Sequence, residues 1–129
     1  MGSTRRVAIV GAGLGGLAAA IALRRQGFEV QVYEQAPELA EFGAGINLSP
    51  NSVKVFRALE LAEKLDVIGS EPIGLTWRDW GSDTIHNRLP FVDFEKRYGG
   101  KYYVVHRSDL HRMLSEALPL DLIHLGRRC

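Results

Sequence analysis

A single cysteine, Cys129, stands in this chain, so no internal disulfide can staple the fold. An excess of charge is missing too: sixteen lysines and arginines nearly balance fifteen aspartates and glutamates. That leaves no field to gather nucleic acid or an anionic membrane, and the basic pairs at 5–6, 24–25 and 127–128 are dispersed as on a solvated surface. No apolar run has the length and composition of a membrane span. Residues 7–23 are uncharged and follow Arg5-Arg6, the flank of an export signal, but four glycines interrupt them and a strand–turn–carboxylate pattern follows at once. Arg6 stands where a myristoylation signal wants Ser or Thr. Without a signal peptide or disulfide, a reducing cytoplasm is the expected compartment. His86, His106, His111 and His124 lack metal-ligand spacing, so no metal is expected and each is read as a packing or surface residue. At 46% hydrophobic and 24% charged, the composition is that of an ordinary soluble globular chain with one core. Nothing in it sets an oligomeric state.

What is present is a glycine loop in a consistent context. Val7-Ala8-Ile9-Val10 reads as a buried parallel strand, short and rich in β-branched residues. Gly11-Ala12-Gly13-Leu14-Gly15-Gly16 follows it. Gly11 allows the tight turn, Gly13 lets the backbone approach a pyrophosphate, and Gly16 lets the next helix pack close to the strand. Leu14, Leu17, Ala18 and Ile21 fit the i, i+3, i+4, i+7 template of an amphipathic helix. Arg24 and Arg25 suit its last turn and Gly27 its stop. The helix N-terminus offers N–H groups and partial positive charge to phosphates. A second strand, Val30 to Tyr33, leads to Glu34, whose carboxylate can accept hydrogen bonds from ribose hydroxyls. These demands agree with one another and mark a dinucleotide site.

Further along, residues 36–42 read as a loop with a short helical piece begun at Pro37-Glu38, and 43–48 as glycine-rich and then strand-like. Ser49 as N-cap and Pro50 at the first helical position begin a helix burying Val53, Phe56 and Leu59. A second helix spans Leu61 to Ile68 and closes at Gly69. Ile73 to Trp80 and Thr84 to Leu89 form a hairpin around Gly81-Ser82-Asp83. Residues 90–100 read as irregular. A strand over Tyr102 to Val105, a helix capped by Ser108 and running to Leu118, and a strand over Leu122 to Leu125 complete the pattern. The fold class is α/β: a Rossmann-like dinucleotide-binding domain with a parallel sheet, a glycine-rich βαβ unit and a small antiparallel hairpin.

Beyond the three glycines, Ala20, Leu23, Gly27, Val30 and Glu34 fit the longer flavoprotein form of the fingerprint. Glu34-Gln35-Ala36, then Gly43-Ala44-Gly45-Ile46-Asn47-Leu48-Ser49-Pro50-Asn51, then His106-Arg107-Ser108-Asp109-Leu110-His111 extend the match over essentially the whole chain. In these segments the chain resembles the class A FAD-dependent aromatic hydroxylases, with the salicylate, 3-hydroxybenzoate and 6-hydroxynicotinate monooxygenases nearest. Glu60 departs from the family's usual Leu-Gly-Leu, at a helix–helix turn away from the chemistry. The resemblance implies that Gly11, Gly13, Leu14, Gly15 and Gly16 line the FAD pyrophosphate, with Glu34 at the adenosine ribose and Gln35 beside it. It implies that Arg107 contacts the cofactor and that Gly45, Ile46 and Asn47, within the segment from Gly43, pass near the isoalloxazine. Read without the resemblance, that segment is simply a glycine-rich loop.

The chemistry implied is monooxygenation: NADH or NADPH reduces the flavin, and a flavin C4a-hydroperoxide transfers oxygen to a small, phenol-like aromatic acid in a dry pocket. Relatives using 6-hydroxynicotinate carry a histidine where this chain has Asn47, and an amide is no general base at neutral pH. Asn47, the candidate catalytic position, is therefore left to orient substrate or flavin. Hydroxylases of this class are expected to be roughly three times as long, with a substrate domain. No Asp-Gly or Gly-Asp pair, the core of the family's two later fingerprints, occurs in the sequence. Residues 1–129 are accordingly expected to be the N-terminal portion of a FAD-binding domain, inactive alone. The alternative is a stand-alone FAD- or NAD-binding module without catalysis. An NAD-dependent dehydrogenase leaves the 43–47 and 106–109 segments without a role, and Glu34 argues against a 2′-phosphate.

Overall fold

The computed structural model describes residues 5–39 and 43–129, in two units: Met1–Ala44 with His106–Cys129, and Gly45–Val105. In the first unit, β1 (Arg6–Val10) leads through the glycine loop into α1 (Leu14–Arg25) and returns in β2 (Glu29–Tyr33). β1 and β2 pair in parallel from Arg6 opposite Glu29 to Val10 opposite Tyr33. Leu17, Ala20 and Ile21 of α1 are buried, as are Val30 and Val32 of β2. Gly27, at φ 83°, ends α1 by donating its N–H to the Arg24 carbonyl at 2.9 Å, as its position in the sequence suggests.

β1 is parallel but not buried. It is the edge of a three-stranded sheet whose far strand is β7 (Ile123–His124), in the order β1-β2-β7, and Val10 is 69% exposed. An apolar run reports that a strand suits a double-sided core; it cannot report which neighbours the described residues supply. β7 pairs in parallel with β2 and covers only two residues of the predicted four, after a 3₁₀ turn over Leu120–Leu122.

In the second unit, β3 (Gly45–Leu48) pairs with β6 (Tyr103–His106). α2 (Pro50–Ala58) begins at Ser49 and Pro50 as read, though the Ser49 hydroxyl turns to the Asn51 side chain rather than a backbone N–H. Its buried Val53, Phe56 and Leu59 pack with Leu61 and Leu65 around α3 (Ala62–Ile68). β4 (Gly74–Arg78) and β5 (Ile85–Pro90) form the antiparallel hairpin. Residues 90–100 are not wholly irregular: Phe94–Tyr98 form a one-turn helix, α4. Buried Phe94 holds it in place, with Phe91 at 4.8 Å and Tyr98 at 4.9 Å between ring centroids. Contacts of this kind leave no periodic trace in five residues.

Two helix boundaries also differ. α5 (Arg107–Ser115) has His106 as N-cap, two residues before the predicted Ser108 cap, and ends three residues before Leu118. The Ser108 hydroxyl instead meets His106 Nδ1 at 2.8 Å. No helix forms over described residues 36–39; residues 40–42 of that expectation lie outside the described residues.

Gly16 is the tightest point of the first unit. A Cβ there would lie 1.9 Å from the Gly11 carbonyl oxygen and 3.4 Å from Ile9 Cγ2, whereas one at Gly15 would touch nothing. Gly16→Ala should therefore destabilise the chain by about 1–3 kcal/mol through overpacking. Gly15→Ala should hold or raise stability, since helical glycine costs up to about 1 kcal/mol relative to alanine. Urea unfolding followed by circular dichroism separates the two, and equal midpoints would disprove the close packing.

Candidate cofactor-binding site

The loop between β1 and α1 is fixed peptide by peptide. Gly11 takes φ 98°, a conformation that side chains disfavour, and donates its N–H to the Tyr33 carbonyl at 2.7 Å. Buried Ala12 donates its N–H to Glu34 Oε2 at 2.8 Å. Gly13 is the N-cap of α1, and its carbonyl accepts the first helical bond, from Leu17 at 2.9 Å. The N–H groups of Leu14, Gly15 and Gly16 precede that bond and have no intrahelical acceptor. No acidic side chain occupies the first turn of α1, while Arg24 and Arg25 occupy the last. The positive end of the helix thus faces out uncompensated.

Among these glycines, the fold itself requires two. Gly11 needs its positive φ and Gly16 its missing Cβ, as the sequence pattern suggests. At Gly13 the backbone is extended, at φ −73° and ψ 179°, and a Cβ at Gly13 or Gly15 would meet no protein atom within 4 Å. Packing within the polypeptide does not forbid a Cβ at either position.

Glu34 follows β2 directly. Its second oxygen, Oε1, accepts the Ala36 N–H at 2.8 Å, so the carboxylate spans the chain leaving β1 and the chain leaving β2. Each oxygen holds one backbone donor, and a carboxylate offers about four acceptor sites, so capacity for hydroxyl donors remains. The Ala36 and Ala12 amides, helped by the Gln35 amide and by nearby His111, hold this carboxyl below its usual value near 4.5, against a smaller opposing effect of burial. Gln35 itself is exposed.

Arg107 begins α5. Its N–H donates to the Ala44 carbonyl at 3.3 Å, and its stem lies where a Cβ on Gly43 would come within 3.0 Å. Glycine at 43 therefore lets the arginine stem pass. Gly45, Ile46 and Asn47 lie on β3 in the second unit, with Asn47 exposed. The sequence reading missed His111. It is 5% exposed, and its Nε2 donates to the Ala12 carbonyl at 2.7 Å. One clue was available: His111 stands three residues before Leu114, a spacing that puts both on one face of the helix.

A cleft of about 130 Å³ opens among Ala12, Gly13, Glu34, Ala36 and His111. Larger hollows of about 560 and 500 Å³ in the second unit contain none of the predicted site residues. No group of three potential metal ligands occurs among the described residues, and no described helix is long and apolar enough to cross a membrane.

The parallel β1-α1-β2 unit with its glycine turn defines a Rossmann-like domain, and residues 9–46 match the NAD(P)-binding Rossmann-like domain family. The 3-amino-4-hydroxybenzoate 2-monooxygenase of Streptomyces cremeus is 43% identical over 125 residues, 96% of this chain and 32% of that protein. The 6-hydroxynicotinate 3-monooxygenase of Pseudomonas fluorescens is 42% identical over 128 residues, 98% of this chain and 33% of that one. Among solved structures, Klebsiella pneumoniae HpxO complexed with FAD and uric acid superposes with a TM-score of 0.83 at 28% identity, over 96% of this chain and 31% of that one. These relatives are class A flavoprotein monooxygenases, and nearly the whole of this chain is similar to a part of each. The chain spans about one third of the length of the curated relatives it matches.

The depressed Glu34 carboxyl has a consequence for stability. A group whose native pKa is lowered stabilises the fold fully above its unfolded value, near 4.5, and that contribution is lost as pH falls through the lower native value. Glu34→Gln should therefore be less stable than the parent at pH 7, and the gap should narrow below about pH 4.5. Urea titrations at pH 7, 5 and 3 measure it; a gap that widens on acidification would contradict the assignment.

Proposed function

We propose that this chain is the dinucleotide end of an NAD(P)H-dependent flavin monooxygenase that hydroxylates a small, phenol-like aromatic acid. The observation that carries this reading is the pair Gly13 and Gly15. A Cβ at either would meet no protein atom within 4 Å, so packing does not call for glycine there, whereas a diphosphate pressed against backbone N–H groups does. Gly11, Gly13, Leu14, Gly15 and Gly16 would surround the FAD pyrophosphate at the positive end of α1. Glu34, with acceptor capacity to spare, would hold the adenosine ribose with Gln35 beside it, and Arg107 would add a cationic fork to the cofactor. Gly45, Ile46 and Asn47 would run along the flavin.

Two relatives' names specify hydroxylated aromatic or pyridine acids, which supports the same substrate class here. FAD, once bound and reduced by NADH or NADPH, supplies the activation of dioxygen for inserting one oxygen atom into an electron-rich ring. The contribution of these residues is to bind the nucleotide half and fix its register. Asn47 would orient ring or substrate, since an amide does not move a proton at neutral pH.

Calorimetric titration with FAD, ADP, NAD and NADP tests the reading. FAD and ADP should bind and NADP should not; preference for NADP would end it. Gly13→Val should abolish FAD binding while the sheet and helices persist, because its Cβ meets no protein atom and the new side chain occupies space beside the loop that the pyrophosphate needs. Retained binding would mean that the diphosphate lies elsewhere.

As part of the same proposal, the 129-residue chain binds but does not hydroxylate. It spans about a third of its relatives, and nothing in the sequence carries the later fingerprints that seat the ribityl chain. Supplied with FAD, NADH or NADPH, and 3-hydroxybenzoate or 6-hydroxynicotinate, it should consume reductant slowly and form hydrogen peroxide. Chromatographic detection of hydroxylated product at enzyme-like turnover would favour a self-sufficient enzyme.

A further inference from the structure

His111 is a buried titratable side chain that the proposed chemistry leaves without a role. It sits on α5, ninety-nine residues from its partner, the Ala12 carbonyl, at 2.7 Å. A carbonyl only accepts, so Nε2 carries the hydrogen. Ala12 is 2% exposed, and its own N–H is held by Glu34 at 2.8 Å. The peptide before Ala12 is therefore fixed by the carboxylate and the peptide after it by the imidazole.

The second peptide matters because it joins Ala12 to Gly13. In a planar trans peptide the C=O and the following N–H point in opposite directions. With the Ala12 carbonyl turned to His111, the Gly13 N–H points away from the imidazole. A flip of this one peptide would exchange the donor for an acceptor at the place where an anion must approach. Glycine at 13 places no side-chain barrier against such a flip. The imidazole supplies the restraint that the residue itself lacks.

We propose that His111 is a positioning residue of the dinucleotide loop, holding the Ala12–Gly13 peptide so that the Gly13 N–H is presented to a diphosphate. The proposal rests on the reading of the loop as a FAD site and adds a residue, remote in sequence, on which that site depends.

The test compares the parent chain with His111→Leu, which removes the donor, and His111→Gln, whose amide nitrogen substitutes for Nε2. FAD and ADP titrations should show His111→Leu weakened about tenfold, the loss of one hydrogen bond, and His111→Gln within about threefold of the parent. Rescue by glutamine distinguishes orientation of the peptide from simple filling of the core. Backbone 15N relaxation in the absence of nucleotide gives a second reading that needs no ligand. His111→Leu should lower the order parameter of the Gly13 N–H while leaving Val30 and Val32 of β2 rigid, and His111→Gln should not. Parent-like affinity and Gly13 order in His111→Leu would overturn the proposal, as would equal losses in both variants. Should His111→Leu fail to fold, a folded His111→Gln that binds as the parent does supports it and one that loses binding overturns it. A parent chain that binds neither FAD nor ADP would refute the function proposed above, whereas unchanged Gly13 order in His111→Leu would refute the role of His111.

Discussion

The Glu34 carboxylate joins two pieces of chain that leave the same end of the sheet in different directions. One oxygen holds Ala12, just past β1, and the other holds Ala36, just past β2. Parallel strands do not share a turn, so their ends must be tied by something other than chain connectivity. Here the tie is a half-buried anion accepting two backbone donors, a strong form of hydrogen bond. It sets the direction of the glycine loop, which sets where α1 begins, and the start of α1 decides where its positive end points. Neighbouring bonds continue the same seam: Glu34 N–H to the His124 carbonyl at 2.9 Å, and Arg127 N–H to the Glu34 carbonyl at 2.8 Å. A residue expected to hold a ribose is thus first a structural joint. Because a carboxylate has more acceptor sites than the two in use, the roles are compatible.

Most of the fold was legible because its determinants are local. Leu17 and Ile21 announce α1 by their spacing, Gly27 its end, and Ser49-Pro50 the beginning of α2. What escaped depends on contacts distant in sequence. α4 exists because Phe94 is buried among other rings, which five residues of sequence do not reveal. His111 touches the loop across ninety-nine residues, and nothing near it in the chain names Ala12 as its partner. Ser108 was read as a cap because serine suits that position, but the chain enters the helix straight from β6 and His106 takes the place. The candidate site divides the same way. Gly11 and Gly16 have structural reasons that spacing alone exposes, whereas the Glu34 joint and the restraint on Ala12 need the assembled unit.

The exposed apolar surface has a consistent physical reading. Val10 on the edge strand, and Leu75, Trp77 and Leu89 on the hairpin, are each 40% exposed or more. Scattered exposed apolar residues need no account, but here they fall on strands whose sequences suit sheets covered by further structure. β1 carries a free row of backbone donors and acceptors along one side, which sheets ordinarily pair or cover. The chain matches about a third of the length of its relatives. That is the physical content of the reading that residues 1–129 supply the cofactor-entry part of a larger fold.

The glycine loop shows how a fold and a ligand leave different marks on one short sequence. A glycine required by the fold is recognised by strain or collision: φ 98° at Gly11, and 1.9 Å to a carbonyl oxygen at Gly16. A glycine without either mark, as at Gly13 and Gly15, costs backbone entropy and returns no packing. At Gly15, inside the helix, such a residue is destabilising relative to alanine unless something outside the polypeptide uses the space, whereas at the Gly13 N-cap glycine is well tolerated. The loop then faces a second difficulty, since glycines that admit a diphosphate also free the peptides that must bind it. Glu34 and His111, one on each side of Ala12, answer it by restraining the backbone from beyond the loop. Permissive residues and remote restraints are therefore two halves of one arrangement, and either alone would leave the N–H groups poorly aimed.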